Sequence, residues 1–344
     1  MPLLYSKRNK RILSATLSLL CGFFFGFLFS SHSLFAQIPQ QNFIIKFFPQ
    51  VPAPQEEVFI NVESFSVDLN RATLRWFVNG TLFTSGVGVK KITIKVGEVG
   101  EETRVSVTAT TPEGVVLNEE IRFTPTLVSL LWESNTYTPA FYKGKALLTT
   151  DNKIVVTALP WFSVDGVSFL NPQGLVYTWS RNGRVLGSLS GFGKQTLTIT
   201  GPSLFQEMDL SVAISSFGGS LRGEASLTLS PQEPEIFFYE KHPLRGVLSE
   251  RALGGEYSFF PDEITLHAEP YFFSQEDVGS NLVFTWLLNG KEITGALGQE
   301  ITLRKPEEAG RSRIGLKITN RNNFLQEVRR FLSITFGEAS RLGN

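Results

Sequence analysis

The chain of 344 residues contains one cysteine, three histidines and two methionines. The cysteine, Cys21, lies in an apolar N-terminal stretch, so the remainder of the chain can form neither a disulfide nor a thiolate metal site. His32 lies in the same stretch, which leaves His242 and His267 as the imidazoles of the body. Without disulfides, the body depends on hydrophobic cores, which modules of about 80–110 residues can build.

An excess of charge of either sign is also lacking, because 32 basic residues balance 32 acidic ones. The first 36 residues hold four basic side chains and no acidic one, so the rest of the chain has a net charge of −4. A slightly acidic body has no basic stripe with which to neutralise phosphates. We therefore expect no nucleic-acid partner.

The N-terminus has the pattern of an export signal. Basic residues between positions 7 and 11 precede an apolar run at residues 12–29, and Ala36 offers a cleavage point. Leu20 stands where a lipoprotein has a small residue before its cysteine, so Cys21 is interpreted as part of the apolar run. Residues 1–36 are then a cleaved signal peptide, or residues 12–29 stay in the bilayer as an anchor. Either way, we expect an exported body, extracellular or on the cell surface, that meets the membrane only through this segment.

A W-x-x-N-G motif occurs three times. Its tryptophans, Trp76, Trp179 and Trp286, are 103 and 107 residues apart, a period that fits a whole sandwich domain. Each motif ends an alternation of apolar and polar residues that is typical of a half-buried strand, so we expect the three indoles to lie in cores. Asn-Gly pairs tolerate the positive φ of a tight hairpin, which predicts turns at Asn79, Gly80, Asn182, Gly183, Asn289 and Gly290.

Further short alternating segments, separated by turn residues, fill each period without helical periodicity. The sequence therefore predicts an all-β chain of three tandem antiparallel β-sandwiches behind an N-terminal signal or anchor helix. Aromatic and proline residues near the joints favour packed, stiff connections over flexible ones. The expected organisation is a signal peptide or anchor at 1–36, a linker or stalk at 37–54, sandwich domains at 55–127, 128–233 and 234–338, and a tail at 339–344.

The motif copies resemble strand C of immunoglobulin-like domains, and the module order resembles the PKD-like repeats of bacterial exteriors. Residues 132–139 and 238–240 resemble segments of secreted multi-domain surface proteins from small-genome candidate-phylum bacteria. This resemblance covers about residues 55–338 and implies architecture without an activity. The chain departs from antibody-type domains in having no cysteine pair, and from PKD domains in following its tryptophan with Asn-Gly.

The chemistry-bearing residues do not form a recognisable catalytic set. A Ser-His-Asp triad needs a positioned histidine, and neither His242 nor His267 accompanies a nucleophile elbow. Adjacent acids are interpreted as solvated surface, and the few aspartates form no calcium loop. The best calcium candidate, Asp262-Glu263, is expected near the second joint. We therefore predict a protein that is not an enzyme and has no cofactor.

Two aromatic pairs are candidates for a ligand patch. In Trp161-Phe162 and Tyr271-Phe272, one ring of each pair should face away from the core, because side chains alternate along a strand. That ring is either covered by neighbouring loops or exposed as a platform for a carbohydrate. The sequence thus favours an adhesion or envelope-assembly scaffold that binds another protein. The alternative is a cell-surface protein that binds glycans through these four residues.

Overall fold

The computed structural model describes residues 43–203, 206–259 and 261–336. The described residues all belong to one compact unit. Its regular structure is nearly all strand, which confirms the predicted fold class, and two short 3-10 turns occur at Pro172–Gly174 and Gly187–Leu189. The predicted signal peptide or anchor at 1–36 and the predicted tail at 339–344 lie outside the described residues.

The first sandwich has seven strands: β1 (Phe43–Phe48), β2 (Glu57–Ser64), β3 (Thr73–Val78), β4 (Thr81–Val87), β5 (Lys91–Lys95), β6 (Thr103–Thr110) and β7 (Val116–Phe123). They form a three-stranded sheet of order β1-β2-β5 and a four-stranded sheet of order β4-β3-β6-β7. All pairs in both sheets are antiparallel. The two sheets enclose a core that contains Trp76.

Strand β1 corrects the predicted stalk at residues 37–54. It pairs along its whole length with β2, from Phe43 opposite Ser64 to Phe48 opposite Phe59. The apolar segment Phe43–Phe48 therefore completes a sheet. The proline and glutamine residues on either side gave these positions the composition of a linker, although the six residues between them are suited to a strand.

The second sandwich repeats the arrangement with β8 (Leu127–Ser134), β9 (Lys153–Trp161), β10 (Val176–Arg181), β11 (Arg184–Val185), β12 (Gly191–Phe192), β13 (Thr196–Thr200), β14 (Met208–Ser215) and β15 (Arg222–Leu229). One sheet has the order β13-β9-β8 and the other β11-β10-β14-β15, with β12 also paired to β10. Trp179 lies in its core.

The third sandwich consists of β16 (Glu235–His242), β17 (Gly246–Val247), β18 (Glu256–Phe259), β19 (Glu263–Tyr271), β20 (Leu282–Leu288), β21 (Lys291–Glu292), β22 (Glu300–Arg304), β23 (Gly310–Asn320) and β24 (Glu327–Phe336). Its sheets have the orders β17-β16-β19-β22 and β18-β24-β23-β20-β21. Strand β18 is paired in parallel with β24. Trp286 lies in the core between the sheets.

Candidate functional site

Each W-x-x-N-G motif builds the same buried link in its sandwich. The indole Nε1–H of Trp76 donates a hydrogen bond to the main-chain carbonyl of Val89 at 2.8 Å. All three indoles are fully buried, so each needs a partner for its one polar atom. These tryptophans therefore stabilise the cores and are inaccessible to a ligand. The equivalent bonds run from Trp179 to Lys194 at 2.8 Å and from Trp286 to Gly298 at 3.0 Å.

The Asn-Gly pairs form two-residue hairpin turns with positive φ at both positions. Asn79 has a φ of 49° and Gly80 a φ of 78°. The Oδ1 atom of Asn79 accepts from the N–H of Arg104, and the N–H of Asn79 donates to the Arg104 carbonyl, both at 2.8 Å. The turn is thereby tied to the neighbouring strand as well as to its own hairpin. The same double link joins Asn182, in the turn with Gly183, to Asp209, and Asn289, in the turn with Gly290, to Arg313.

Three of the four residues in the predicted aromatic patch are buried. Trp161 is 37% exposed, whereas Phe162 belongs to the second core, and Tyr271 and Phe272 lie beneath another part of the chain. Phe162, Tyr271 and Phe272 therefore cannot form the exposed carbohydrate platform that the sequence offered as an alternative. For Tyr271 and Phe272 the structure adopts the other alternative, in which neighbouring loops cover the rings, whereas Trp161 remains partly exposed.

The cover over Tyr271 and Phe272 is the segment that connects β8 to β9, residues 135–152, which we call the covering segment. The ring of Tyr142 meets Tyr271 and Phe272 edge-on, with centroids 5.4 and 5.8 Å away. Phe141 packs in the same manner on Tyr239 at 5.4 Å. These aromatic contacts extend a small apolar core outside the third sandwich. The second and third sandwiches are thus joined by burial of apolar surface.

Main-chain hydrogen bonds reinforce this joint. The N–H of Tyr137 donates to the Phe273 carbonyl, and the N–H of Phe272 donates to the Tyr137 carbonyl, both at 2.7 Å. The hydroxyl of Thr149, which is fully buried, donates to the Phe272 carbonyl at 2.7 Å. The covering segment therefore pairs with the end of β19 much as a strand would, and the connection between the sandwiches has little freedom to bend.

Amide side chains, one of them fully buried, close the joint from the third sandwich. Asn323 and Gln326, in the turn between β23 and β24, both donate to the carbonyl of Thr150 at 3.1 Å. The Oε1 atom of Gln326 accepts from the N–H of Ser274 at 3.1 Å, and the Ser274 hydroxyl donates to Asn152 at 2.6 Å. Thr150, Asn152 and Gln326 are buried, and breaking one bond of a satisfied buried network leaves its partner unpaired at a high cost.

A buried carboxylate, that of Glu269, lies where the covering segment meets β19. Its Oε1 accepts from the hydroxyl of Tyr137 at 2.5 Å, and its Oε2 lies 2.9 Å from Nε2 of His267. The other ring nitrogen of His267 lies 3.1 Å from Glu300, which also binds Lys241 at 2.7 Å. When His267 is protonated, charges of alternating sign run along this face from Lys241 to Glu269.

This arrangement sets the protonation of the histidine. The pKa of His267 is raised above 6.5, chiefly by its hydrogen bond to Glu269 and also by Glu300, while burial acts in the opposite direction. Burial and the bond to Glu269 likewise raise the pKa of Tyr137. Both ring nitrogens of His267 are engaged with carboxylates, so neither is available to accept a proton from a substrate. The cluster acts as a structural ion pair at the joint.

The calcium candidate Asp262-Glu263 lies away from the second joint, at the opposite end of β19 from Tyr271. Glu263 binds Arg304 at 2.6 Å, and the Asp262 carbonyl accepts from the N–H of Lys305 at 2.8 Å. The expected position was therefore wrong, because β19 runs the length of the sandwich between the two sites. No group of three or more histidine, cysteine, aspartate or glutamate side chains suited to a metal occurs in the described parts of the chain.

The first and second sandwiches meet at two tight loops. Gly100 has a φ of 76°, and a Cβ placed on it would lie 2.8 Å from both the N of Gly166 and the Cβ of Ser163. The N–H of Gly100 donates to the Pro125 carbonyl at 2.9 Å. Glycine is needed there for its conformation and for the close approach of the two loops.

The third sandwich contains an open cleft of about 490 Å³ beside β22 and β24. Apolar residues such as Ile293, Leu303 and Phe336 line most of it, and Arg304 stands at its side. No acidic residue or histidine lines this cleft, so it lacks the paired groups of acid–base catalysis.

Among the described residues, no helix has the length and apolar character that crossing a bilayer requires.

Comparisons with known proteins find no match by sequence and only weak structural likenesses. No protein-family model and no curated protein matches the sequence. The three N-terminal domains of the bacteriophage RB49 Highly Immunogenic Outer Capsid protein (Hoc) align with 87% of this chain and 100% of their own, at 10% identity and a TM-score of 0.26. The central fibronectin-III array of RIM-binding protein aligns with 87% of this chain and 97% of its own, at 12% identity and a TM-score of 0.27.

The fibronectin(III)-like modules of Clostridium thermocellum CbhA align with 55% of this chain and 95% of their own, at 12% identity and a TM-score of 0.27. Scores this low carry no argument about function. What can be said of the binding properties of this chain must come from its own surfaces and joints.

Proposed function

We propose that this chain is exported and acts at the bacterial cell surface as a non-enzymatic scaffold for adhesion or envelope assembly, where it binds another protein. Export is supported by the basic and apolar pattern of residues 7–29. Binding as the mode of action is supported by what the described surface offers, namely apolar side chains at strand edges and turns.

The observation that carries the proposal is the joint between the second and third sandwiches. These sandwiches are held together by aromatic packing, by main-chain pairing and by the hydrogen bond from the buried Gln326 amide to the Thr150 carbonyl. Modules joined by flexible linkers are free to move relative to each other, whereas this joint fixes one sandwich against the next. A fixed spacing of binding surfaces is what a scaffold needs, since less entropy is lost when a preorganised surface binds.

The experiment is cross-linking in intact producing cells with a reagent that cannot cross membranes, followed by purification of the chain and identification of its partners. We expect reaction with the chain itself, because it is outside, and reproducible cross-links to envelope proteins. A Gln326→Met variant should loosen the joint and reduce those cross-links. Gln206→Met, which changes an exposed glutamine of the second sandwich, serves as the matched control and should leave them unchanged.

Two results would contradict the proposal. If the reagent labels the chain only after the cells are lysed, the chain is not exported. If the chain is labelled in intact cells but only cell-wall glycan accompanies it, the partner is a carbohydrate and the scaffold proposal fails. Equal cross-linking of the wild type and the Gln326→Met variant would show that the stiff joint is not what presents the binding surface.

A further inference from the structure

Strand β4 is a seven-residue edge of the first sandwich. It lies at the end of the sheet β4-β3-β6-β7, and no strand of the described chain pairs with its outer side. Its seven residues, Thr81–Val87, include no charged residue and no proline. Three of them expose large apolar side chains, Leu82 by 48%, Phe83 by 52% and Val87 by 66%. Such an edge presents free main-chain donors and acceptors beside apolar groups, which is a template for another strand.

The corresponding edges of the other sandwiches consist of two-residue strands, two of which are charged; the third, β12, exposes Phe192 but has only two residues. Strand β11 follows the second Asn-Gly turn and consists of Arg184 and Val185, and β21 follows the third and consists of Lys291 and Glu292. Short strands and charged side chains are the usual means by which sheet edges avoid pairing. Among the other described edges, β13 and β17 are uncharged, but β13 exposes threonines rather than large apolar side chains and β17 has only two residues. The first sandwich thus differs from its two repeats at this edge.

We propose that β4 pairs with β4 of a second copy of this chain, antiparallel and about a two-fold axis at Ser85. This inference deepens the proposed function, on which it rests, by naming one partner and one surface. In this register residues 83–87 of the two copies are opposite each other, and Val87 of each copy lies against Phe83 of the other. The two four-stranded sheets become one sheet of eight strands.

Charge and symmetry favour a second copy as the occupant. Pairing of β4 with itself brings no like charges together, whereas pairing of β7 with itself would bring Glu119 and Glu120 of the two copies close to each other. Because the contact uses the same surface on both partners, it closes at a dimer and does not propagate into a fibre.

The pairing is limited in length on one side. The register between β3 and β4 shifts between Trp76 and Phe77, which makes Phe83 the extra residue of a β-bulge, and a bulge bends an edge strand away from regular pairing. The interface is therefore small. Interfaces at this end of the size range are weak, and we expect a dissociation constant on the order of 100 µM.

The experiment measures self-association of residues 41–344, whose described part is one compact unit that contains every described strand and core. Sedimentation over a range of concentrations up to about 1 mM, a span chosen around the expected weak affinity, should reveal a reversible dimer. Ser85→Lys places like charges on the two-fold axis and should weaken the dimer at least about tenfold. Val185→Lys makes the same change at the exposed β11 edge of the second sandwich and should leave association unchanged.

A second readout uses the lack of cysteine between residues 41 and 344. Ser85→Cys should form an interchain disulfide under mild oxidation, because directly opposite residues of an antiparallel pair have Cβ atoms close to each other. Val185→Cys is the control and should stay largely reduced. Circular dichroism of all four variants establishes that each is folded.

The proposal is overturned if the chain stays monomeric across the whole concentration range, if Ser85→Lys and Val185→Lys have equal effects, or if the two cysteine variants cross-link equally. These outcomes are separable from failure of the proposed function. A monomer that still cross-links to envelope proteins in cells removes the β4 dimer and leaves the scaffold in place. A dimer through β4 that captures no envelope protein supports this inference and removes the envelope partner.

Discussion

The hydroxyl of Tyr137 donates a hydrogen bond to the carboxylate of Glu269, a residue 132 positions further along the chain. One belongs to the covering segment and the other to the third sandwich, so this bond spans the joint. Glu269 is buried, with an exposure of 6%, and a buried carboxylate is tolerated only when its oxygens have partners. The bond to Tyr137 therefore satisfies a buried charge as well as linking the two sandwiches.

Replacement of Tyr137 by phenylalanine should destabilise the protein by about 1–3 kcal/mol, because one oxygen of a buried carboxylate loses its donor. Thermal and chemical unfolding measure this change. Tyr142→Phe removes a hydroxyl from the same segment whose bond to the Lys145 carbonyl is long, at 3.4 Å and exposed. It is the matched control, and we expect a loss of less than about 0.5 kcal/mol. Equal losses in the two variants would mean that Glu269 does not depend on Tyr137.

The stability of the folded chain should fall as the pH rises through the pKa of His267. That pKa is raised above its unfolded value of 6.5 by Glu269 and Glu300. The stabilisation from the protonated ring is therefore complete below about pH 6.5 and is lost as the pH passes the folded-state pKa. The neighbouring Tyr137 stays neutral through this range, because burial and the bond to Glu269 raise its pKa above the ordinary value of 10.

The measurement is the free energy of unfolding between pH 5.5 and 9, compared between the wild type and His267→Gln. The variant keeps hydrogen-bonding groups but cannot carry the charge, so its stability should change less over this range, with the largest gap from the wild type at the acidic end. If the free energy of unfolding depends on pH in the same way in the wild type and the variant, the charge of His267 does not contribute to stability.

Replacement of the buried indole of Trp179 by a smaller ring should destabilise the protein. Trp179→Phe leaves a cavity and removes the donor to the Lys194 carbonyl, and we expect a loss of about 2–4 kcal/mol. Trp161→Phe makes the same chemical change at a partly exposed position of the same sandwich and should cost less than about 1 kcal/mol. Chemical unfolding of the two variants side by side makes the comparison. A small effect at Trp179 would contradict its central place in the core.

The asparagine of each Asn-Gly turn has two roles: it tolerates a positive φ, and its side chain accepts a hydrogen bond from the neighbouring strand. Two substitutions of Asn182 should separate these roles. Asn182→Ala loses tolerance for a φ of 49° and the acceptor for the Asp209 N–H, at a cost of about 1–3 kcal/mol. Asn182→Gly keeps the conformation and loses only the acceptor, so its stability should lie between that of the wild type and the alanine variant. If both variants unfold like the wild type, the link to Asp209 does not contribute to stability.

Local sequence patterns predicted the cores and the turns, because these depend on residues close together in the chain. The alternation up to Trp76, Trp179 and Trp286 marks one strand of each core, and the Asn-Gly pairs mark the hairpins. The partners that these asparagines bind lie 24 to 27 residues away, and nothing in the local pattern indicates them.

The joint could not be predicted from the sequence for the same physical reason. Gln326 reaches Thr150 across 176 positions, and Ser274 reaches Asn152 across 122. Polar residues in a turn are usually solvated, so Asn323 and Gln326 look like ordinary turn residues until the second sandwich is placed beside them. For a similar reason the sequence left open whether Tyr271 and Phe272 are covered or exposed. Only the position of the covering segment decides between the two.

The parallel pairing of β18 with β24 determines how the third sandwich responds to a pulling force. Suppose that the chain is stretched from its ends until β16 has separated from β19. The load then passes to Glu256 at the start of β18 and to Phe336 at the end of β24, which are drawn in opposite directions along the strands. The four residue pairs between them are sheared together rather than unzipped in turn. Under tension the third sandwich therefore has a mechanical clamp that its antiparallel pairs alone would not provide.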